Sequence, residues 1–98
     1  MAIAVVLDFT GATLEQYDQV VEKMNLTPGG QGPGGLLSHW VTATDGGIRI
    51  SDVWQTREVF DAWAQDKIGP LTVEVGFPAP PEMTFYDVHN YLTAGPAT

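Results

Sequence analysis

Cysteine is absent from this chain, so thiol catalysis, disulfides and thiolate metal sites are excluded together. Proton chemistry near neutral pH then falls first to the two histidines, the side chains that change charge in that range. His39 and Asp52 have a spacing that can use it. They lie in two strand-like runs, Leu36–Thr44 and Gly47–Gln55, joined at Asp45-Gly46. Asp-Gly supplies the positive φ angles of a tight hairpin, which predicts a two-residue turn with Thr44 opposite Gly47. Counting outward places Val41 opposite Ile50 and His39 opposite Asp52. A carboxylate that accepts one imidazole N–H leaves the other nitrogen facing a pocket, which is an oriented base. The same pair could equally be a buried polar contact that sets strand register and does no chemistry.

The other polar residues offer less. Asp87, His89 and Asn90 sit together in the last strand-like run, where a histidine is ordinarily a hydrogen-bonded surface residue. No His-x-x-x-His or other compact ligand spacing occurs, so no metal site is expected. Ser38 has no nucleophile-elbow context. The aromatic residues Tyr17, Trp54, Phe60 and Trp63 are the candidate walls of a pocket for a planar hydrophobic ligand, and the same residues would serve as ordinary core. Trp40 has the opposite parity to His39, which assigns it to the other sheet face, where a second copy could pack.

Those residues must be positioned by six elements. Ala2–Phe9 is almost continuously apolar, as in a central strand buried on both faces. Thr13-Leu14-Glu15-Gln16 reads as a capping box that opens a helix. Along that helix Leu14, Tyr17, Val20, Val21 and Met24 form an apolar stripe. Leu26–Gly35 holds five glycines and two prolines in ten residues, which excludes regular structure. No Lys-Ser or Lys-Thr follows it, so a connection or rim loop is expected and not a phosphate cradle. After the hairpin, Thr56 caps a second helix with Val59, Phe60 and Trp63 inward, and Gly69-Pro70 is expected to stop it. Leu71–Gly76 reads as a short extra turn or irregular piece, Pro78–Pro81 as a stiff connector, and Met83–Leu92 as the last strand. Thr93–Thr98 is a frayed tail. The order is β-α-β-β-α-β: an α+β, ferredoxin-like βαββαβ fold, with a four-stranded antiparallel sheet and helices on one face.

Ninety-eight residues make one small domain, and 44% hydrophobic residues with three tryptophans make it globular. The net charge is −8, and only Lys23, Arg49, Arg57 and Lys67 are positive. Such a surface cannot displace the counterions of a nucleic acid, and it is repelled by anionic membranes. The first apolar run is too short for a signal peptide and lacks a basic leader, and no segment approaches a membrane span; a cytoplasmic protein is expected.

Three stretches carry a resemblance: Gly35-Leu36-Leu37-Ser38-His39, then Gly46-Gly47-Ile48-Arg49-Ile50-Ser51-Asp52-Val53-Trp54, then Glu58-Val59-Phe60-Asp61-Ala62-Trp63. With the closing Tyr86-Asp87-Val88-His89-Asn90-Tyr91, the chain resembles the dimeric α+β barrel superfamily, and within it small antibiotic-biosynthesis-monooxygenase-like (ABM-like) proteins. The resemblance implies a homodimer joined through the open sheet faces, with a pocket between sheet and helices in each copy. It also implies a pocket protein acting on a hydrophobic or aromatic small molecule, as a cofactor-independent oxygenase or a related tailoring enzyme such as an isomerase or cyclase, and no cofactor is expected. Asp8 stands where the family's oxygenases would offer an Asn, and no helix carries a His, which points away from haem degradation. Within that frame His39 would be the base, Asp52 its orienter, and Tyr17, Trp54, Phe60 and Trp63 the binding walls. A non-catalytic ligand-binding protein, or a purely structural dimer, is the alternative.

Overall fold

The computed structural model of the chain describes residues 1–95. In chain order the elements are β1 (Ile3–Thr10), α1 (Leu14–Lys23), β2 (Leu36–Thr44), β3 (Gly47–Trp54), α2 (Arg57–Trp63), a π-helical turn (Ala64–Ile68), α3 (Gly69–Val75) and β4 (Glu82–Asp87). The sheet order is β2-β3-β1-β4 with every neighbouring pair antiparallel. This is the ferredoxin-like α+β fold that the element order predicts.

Strand periodicity decides what is buried. Ile3, Val5, Leu7 and Phe9 of β1 and Ile48, Ile50 and Trp54 of β3 alternate onto one face. Phe60 of α2 and Ile68 of the π-helical turn join them in one core, with Tyr17, Met24 and Trp63 packed at its margin. Trp54 and Phe60 are completely buried and meet edge to face at 5.7 Å. Both long helices start as expected. Thr13 and Gln16 cap each other's free amides reciprocally, and the Thr56 hydroxyl accepts from the Val59 amide.

Five expectations are corrected. Strand β1 is not buried on both faces: Ala4, Val6 and Asp8 are only half-buried, because all the helices pack on the other side of the sheet. The hairpin has the expected length, with Thr44 opposite Gly47, but neither Asp45 nor Gly46 takes a positive φ. The Gly46 carbonyl accepts instead from the Gly11 amide at 2.7 Å, tying the turn to the β1–α1 connection. Gly47 completes that junction, since a Cβ there would stand 2.0 Å from the Phe9 carbonyl oxygen.

Gly69-Pro70 does not stop the second helix. A wide turn, in which the Gly69 amide reaches back to the Ala64 carbonyl, carries the chain into α3 with Pro70 in its first turn. The first turn is where a missing N–H is tolerated. The true stop is Gly76, at φ 101°, whose amide closes on Thr72 and Val73. Val59 lies at the rim and not in the core. Strand β4 ends at Asp87, because its partner β1 begins at Ile3 opposite that residue and nothing remains for His89 and Tyr91 to pair with. Residues 93–95 have no regular structure, and the remainder of the predicted tail lies outside the described residues.

The face away from the helices is partly apolar. Trp40 and Tyr86 are 56% and 58% exposed there, flanking the half-buried Val6 and Val53. Among the described residues no helix is long and apolar enough to cross a membrane.

Candidate functional site

The hairpin register puts His39 directly opposite Asp52, and the side chains meet: Nδ1 of His39 lies 2.6 Å from Oδ1 of Asp52. Asp52 is enclosed, with 2% of its side chain exposed, while His39 keeps 27%. Two further groups extend the contact. Trp54 follows Asp52 by two residues, hence on the same strand face, and its indole N–H donates to Oδ2 of Asp52 at 3.1 Å. Tyr17 arrives from α1, with its hydroxyl 2.5 Å from Nε2 of His39 and the two rings within 14° of parallel.

The donor inventory orients this chain. An indole N–H only donates and a carboxylate only accepts, so a neutral His39 must carry its proton on Nδ1, facing Asp52. Its Nε2 is then an acceptor, and the Tyr17 hydroxyl donates to it. Every hydrogen bond in the series therefore runs toward Asp52. Among the described residues no buried side-chain polar atom lacks a partner. Burial, with Asp52 and Asp18 nearby, pushes the Tyr17 phenol above its usual value, so its neutral form is the one held in the fold.

The series forms part of the wall of a cavity of about 690 Å³, lying between the sheet, α1 and the Gly-rich segment. Of the predicted site residues, His39, Asp52, Tyr17, Trp54 and Trp63 line it. Phe60 does not: it is buried behind Trp54, against Phe85. Tyr17 is more than a wall, since it occupies the histidine nitrogen that the sequence leaves free. The structure adds Phe9, Met24, Leu36 and Phe77 to the apolar lining. It also brings the whole stretch from Leu26 to Gly35 against the cavity, so the rim expected of that stretch is real. The parity of Phe9 and the helical stripe of Met24 were legible signals for two of these. Phe77 follows α3, a stretch whose sequence reads as a short turn or irregular piece, and carried none.

Among the described residues, no Lys or Arg lines the cavity. Each of the four cationic side chains has a carboxylate of its own: Lys23 with Glu74 at 3.3 Å, Arg49 with Asp8 at 2.7 Å, Arg57 with Asp61 at 3.1 Å and Lys67 with Asp66 at 3.9 Å. Among the described residues, no three His, Cys, Asp or Glu side chains converge on a possible metal position.

Comparison with known proteins places the fold. No protein-family model matches the chain, and no curated protein does. Solved structures do. A monooxygenase from the gene ActVA-Orf6 of Streptomyces coelicolor, in complex with nanaomycin D, is 18% identical at a TM-score of 0.56, over 96% of this chain and 92% of that one. A putative antibiotic biosynthesis monooxygenase from Deinococcus radiodurans is 14% identical at 0.54, over 98% and 100%. A conserved protein from Methanosarcina mazei Go1 is 16% identical at 0.57, over 88% and 91%. The chain therefore has the ABM-like fold, in agreement with the resemblance carried by its hairpin and second helix. At these identities the likeness concerns the fold and not the reaction.

Proposed function

We propose that this protein is a small-molecule pocket enzyme that takes a proton from a hydrophobic, aromatic substrate so that the electron-rich anion can react with dioxygen. The observation that carries this reading is the hydrogen-bonded series Tyr17–His39–Asp52–Trp54, whose donors all converge on Asp52, on the wall of a cavity with a mainly apolar lining. His39 is the base and Asp52 holds its tautomer. Trp63 and Tyr17, both only partly buried, give the planar walls that an aromatic ring system requires, with Trp54 buried against Trp63. The oxidant is dioxygen itself. The ABM-like fold, shared with a monooxygenase that was solved with nanaomycin D, supports the same reading.

Oxygen uptake tests it. Incubation with a panel of hydroxylated naphthalenes and anthracenes is expected to consume dioxygen faster than the autoxidation of each compound alone, with an oxygenated product by mass spectrometry. Saturable binding without uptake across the panel would leave a binding protein and remove the oxygenase.

The protein is also proposed to act as a homodimer, joined through the sheet face that bears Trp40, Val6, Val53 and Tyr86. Two large aromatic side chains more than half exposed beside half-buried valines form an apolar patch that a second copy would cover. Sedimentation equilibrium at micromolar concentration is expected to give the dimer mass. A monomer there, or a dimer unaffected by Trp40→Glu, would sink this assignment.

A further inference from the structure

We infer that Tyr17 is the pocket-facing end of a one-way proton relay, and that the cavity takes an uncharged phenol or enol whose hydroxyl donates to Oη of Tyr17. This rests on the pocket-enzyme reading above and gives that site its substrate class and a further catalytic residue. Three observations carry it.

The first is occupancy. Nε2 of His39, the nitrogen a free base would present, is engaged by the Tyr17 hydroxyl at 2.5 Å, and Nδ1 is engaged by Asp52 at 2.6 Å. A ligand proton therefore meets Tyr17 before it meets histidine. The second is direction. The single Tyr17 hydrogen is spent on His39, so what its oxygen offers the cavity is lone pairs. A group that accepts from the pocket and donates away from it selects a ligand that donates. A ketone, an ether or a carboxylate presents an acceptor where an acceptor already stands.

The third is charge. Among the described residues the lining holds no Lys or Arg, all four cationic side chains are paired elsewhere, and the one acidic side chain in the lining is Asp52. A carboxylate, phosphate or thioester-linked nucleotide would enter unpaired, which is costly at an apolar site. A neutral hydroxylated ring would not.

The transfer balances. The ligand hydroxyl proton passes to Oη of Tyr17 as the Tyr17 proton passes to Nε2 of His39. Tyr17 ends as a phenol whose new hydrogen points at the ligand oxyanion. His39 ends as an imidazolium paired with Asp52. Burial and the neighbouring Asp52 and Asp18 disfavour a tyrosinate, so the two protons move together and none is stored on Tyr17.

The test needs neither oxygen nor turnover, so it can fail separately from the oxygenase reading. The probe is 4-nitro-1-naphthol, added at a pH below its own pKa so that it enters uncharged; its neutral and ionised forms absorb at different wavelengths, and its methyl ether is the control. Binding is followed by quenching of tryptophan fluorescence, since Trp54 and Trp63 line the cavity. The wild-type protein is expected to bind the naphthol more tightly than the ether and to lower the apparent pKa of the bound naphthol by about 1–3 units, because the proton given up is held as the His39 imidazolium, an opposite charge near the oxyanion. Tyr17→Phe is expected to abolish the shift, read at saturating naphthol so that a change in affinity does not enter the comparison. His39→Gln, which keeps a side chain against Tyr17, is expected to abolish the shift too. An equal shift in wild type and Tyr17→Phe would overturn the relay and leave His39 as a direct base. Binding of the ether but not of the naphthol would overturn the substrate class while the pocket stands. Binding of neither would overturn the whole inference, and oxygen uptake would then decide the enzyme reading on its own.

Discussion

Asp52→Asn is expected to lower turnover roughly 10²- to 10⁴-fold while leaving the fold intact, the range associated with losing an oriented general base. The substitution is nearly isosteric, and the amide oxygen can still accept from the Trp54 indole at the present 3.1 Å position. What changes is the atom facing His39. An amide nitrogen donates, so Nδ1 must become the acceptor and the imidazole proton moves to Nε2. That nitrogen then donates to the Tyr17 oxygen, and the direction of the series reverses. Nitrogen-15 chemical shifts of His39 give a readout that a merely structural role would not move: Nδ1 protonated in the wild type, Nε2 protonated in the variant. A switched tautomer with unchanged turnover would remove the dyad from the mechanism. An unchanged tautomer would remove the stated hydrogen-bond order.

Trp54→Ala is expected to destabilise the protein by about 3–5 kcal/mol, the range for truncating a large buried aromatic. The side chain is completely buried between Phe60 at 5.7 Å and Trp63 at 5.1 Å, with its indole N–H spent on Asp52. Two losses add. The ring's apolar contacts leave a cavity, and one oxygen of the enclosed Asp52 loses its donor. Set against the roughly 5–15 kcal/mol that holds a typical domain together, this is a large share. Urea denaturation measures the total, and Trp54→Phe separates the parts, because the smaller ring keeps much of the packing but not the N–H. A cost below about 1 kcal/mol for Trp54→Ala would mean that the core is not organised around this residue.

The hairpin was legible because strand geometry has a period of two and the loop between the strands was short. Once Thr44 faces Gly47, His39 can only face Asp52, and that pairing is present. The same parity places Trp54 beside Asp52, so their hydrogen bond was available from the spacing of Asp52 and Trp54 alone. Turn chemistry was less transferable. Asp45-Gly46 has the right length without the expected positive φ, and its Gly46 carbonyl accepts from the Gly11 amide of a connection far away in sequence. Gly69-Pro70 failed as a helix stop: a wide turn absorbed the missing amide, and Gly76 supplied the left-handed stop instead.

Local pattern therefore determined the element order, the antiparallel hairpin, the His39–Asp52 register and the exposure of Trp40. All of these follow from alternation and helical periodicity over short stretches of chain. The contact of Tyr17 with His39 was decided by tertiary structure alone. A helical stripe says that Tyr17 points at the sheet but not where along the sheet the helix docks, and a shift of one turn, about 5.4 Å, would carry its hydroxyl out of hydrogen-bond reach. Docking also put Phe60 behind Trp54 and left Trp63 at the cavity, although both belong to one apolar stripe. Which inward side chain becomes core and which becomes wall depends on where two curved surfaces fail to meet, and no periodicity along a single chain records that gap.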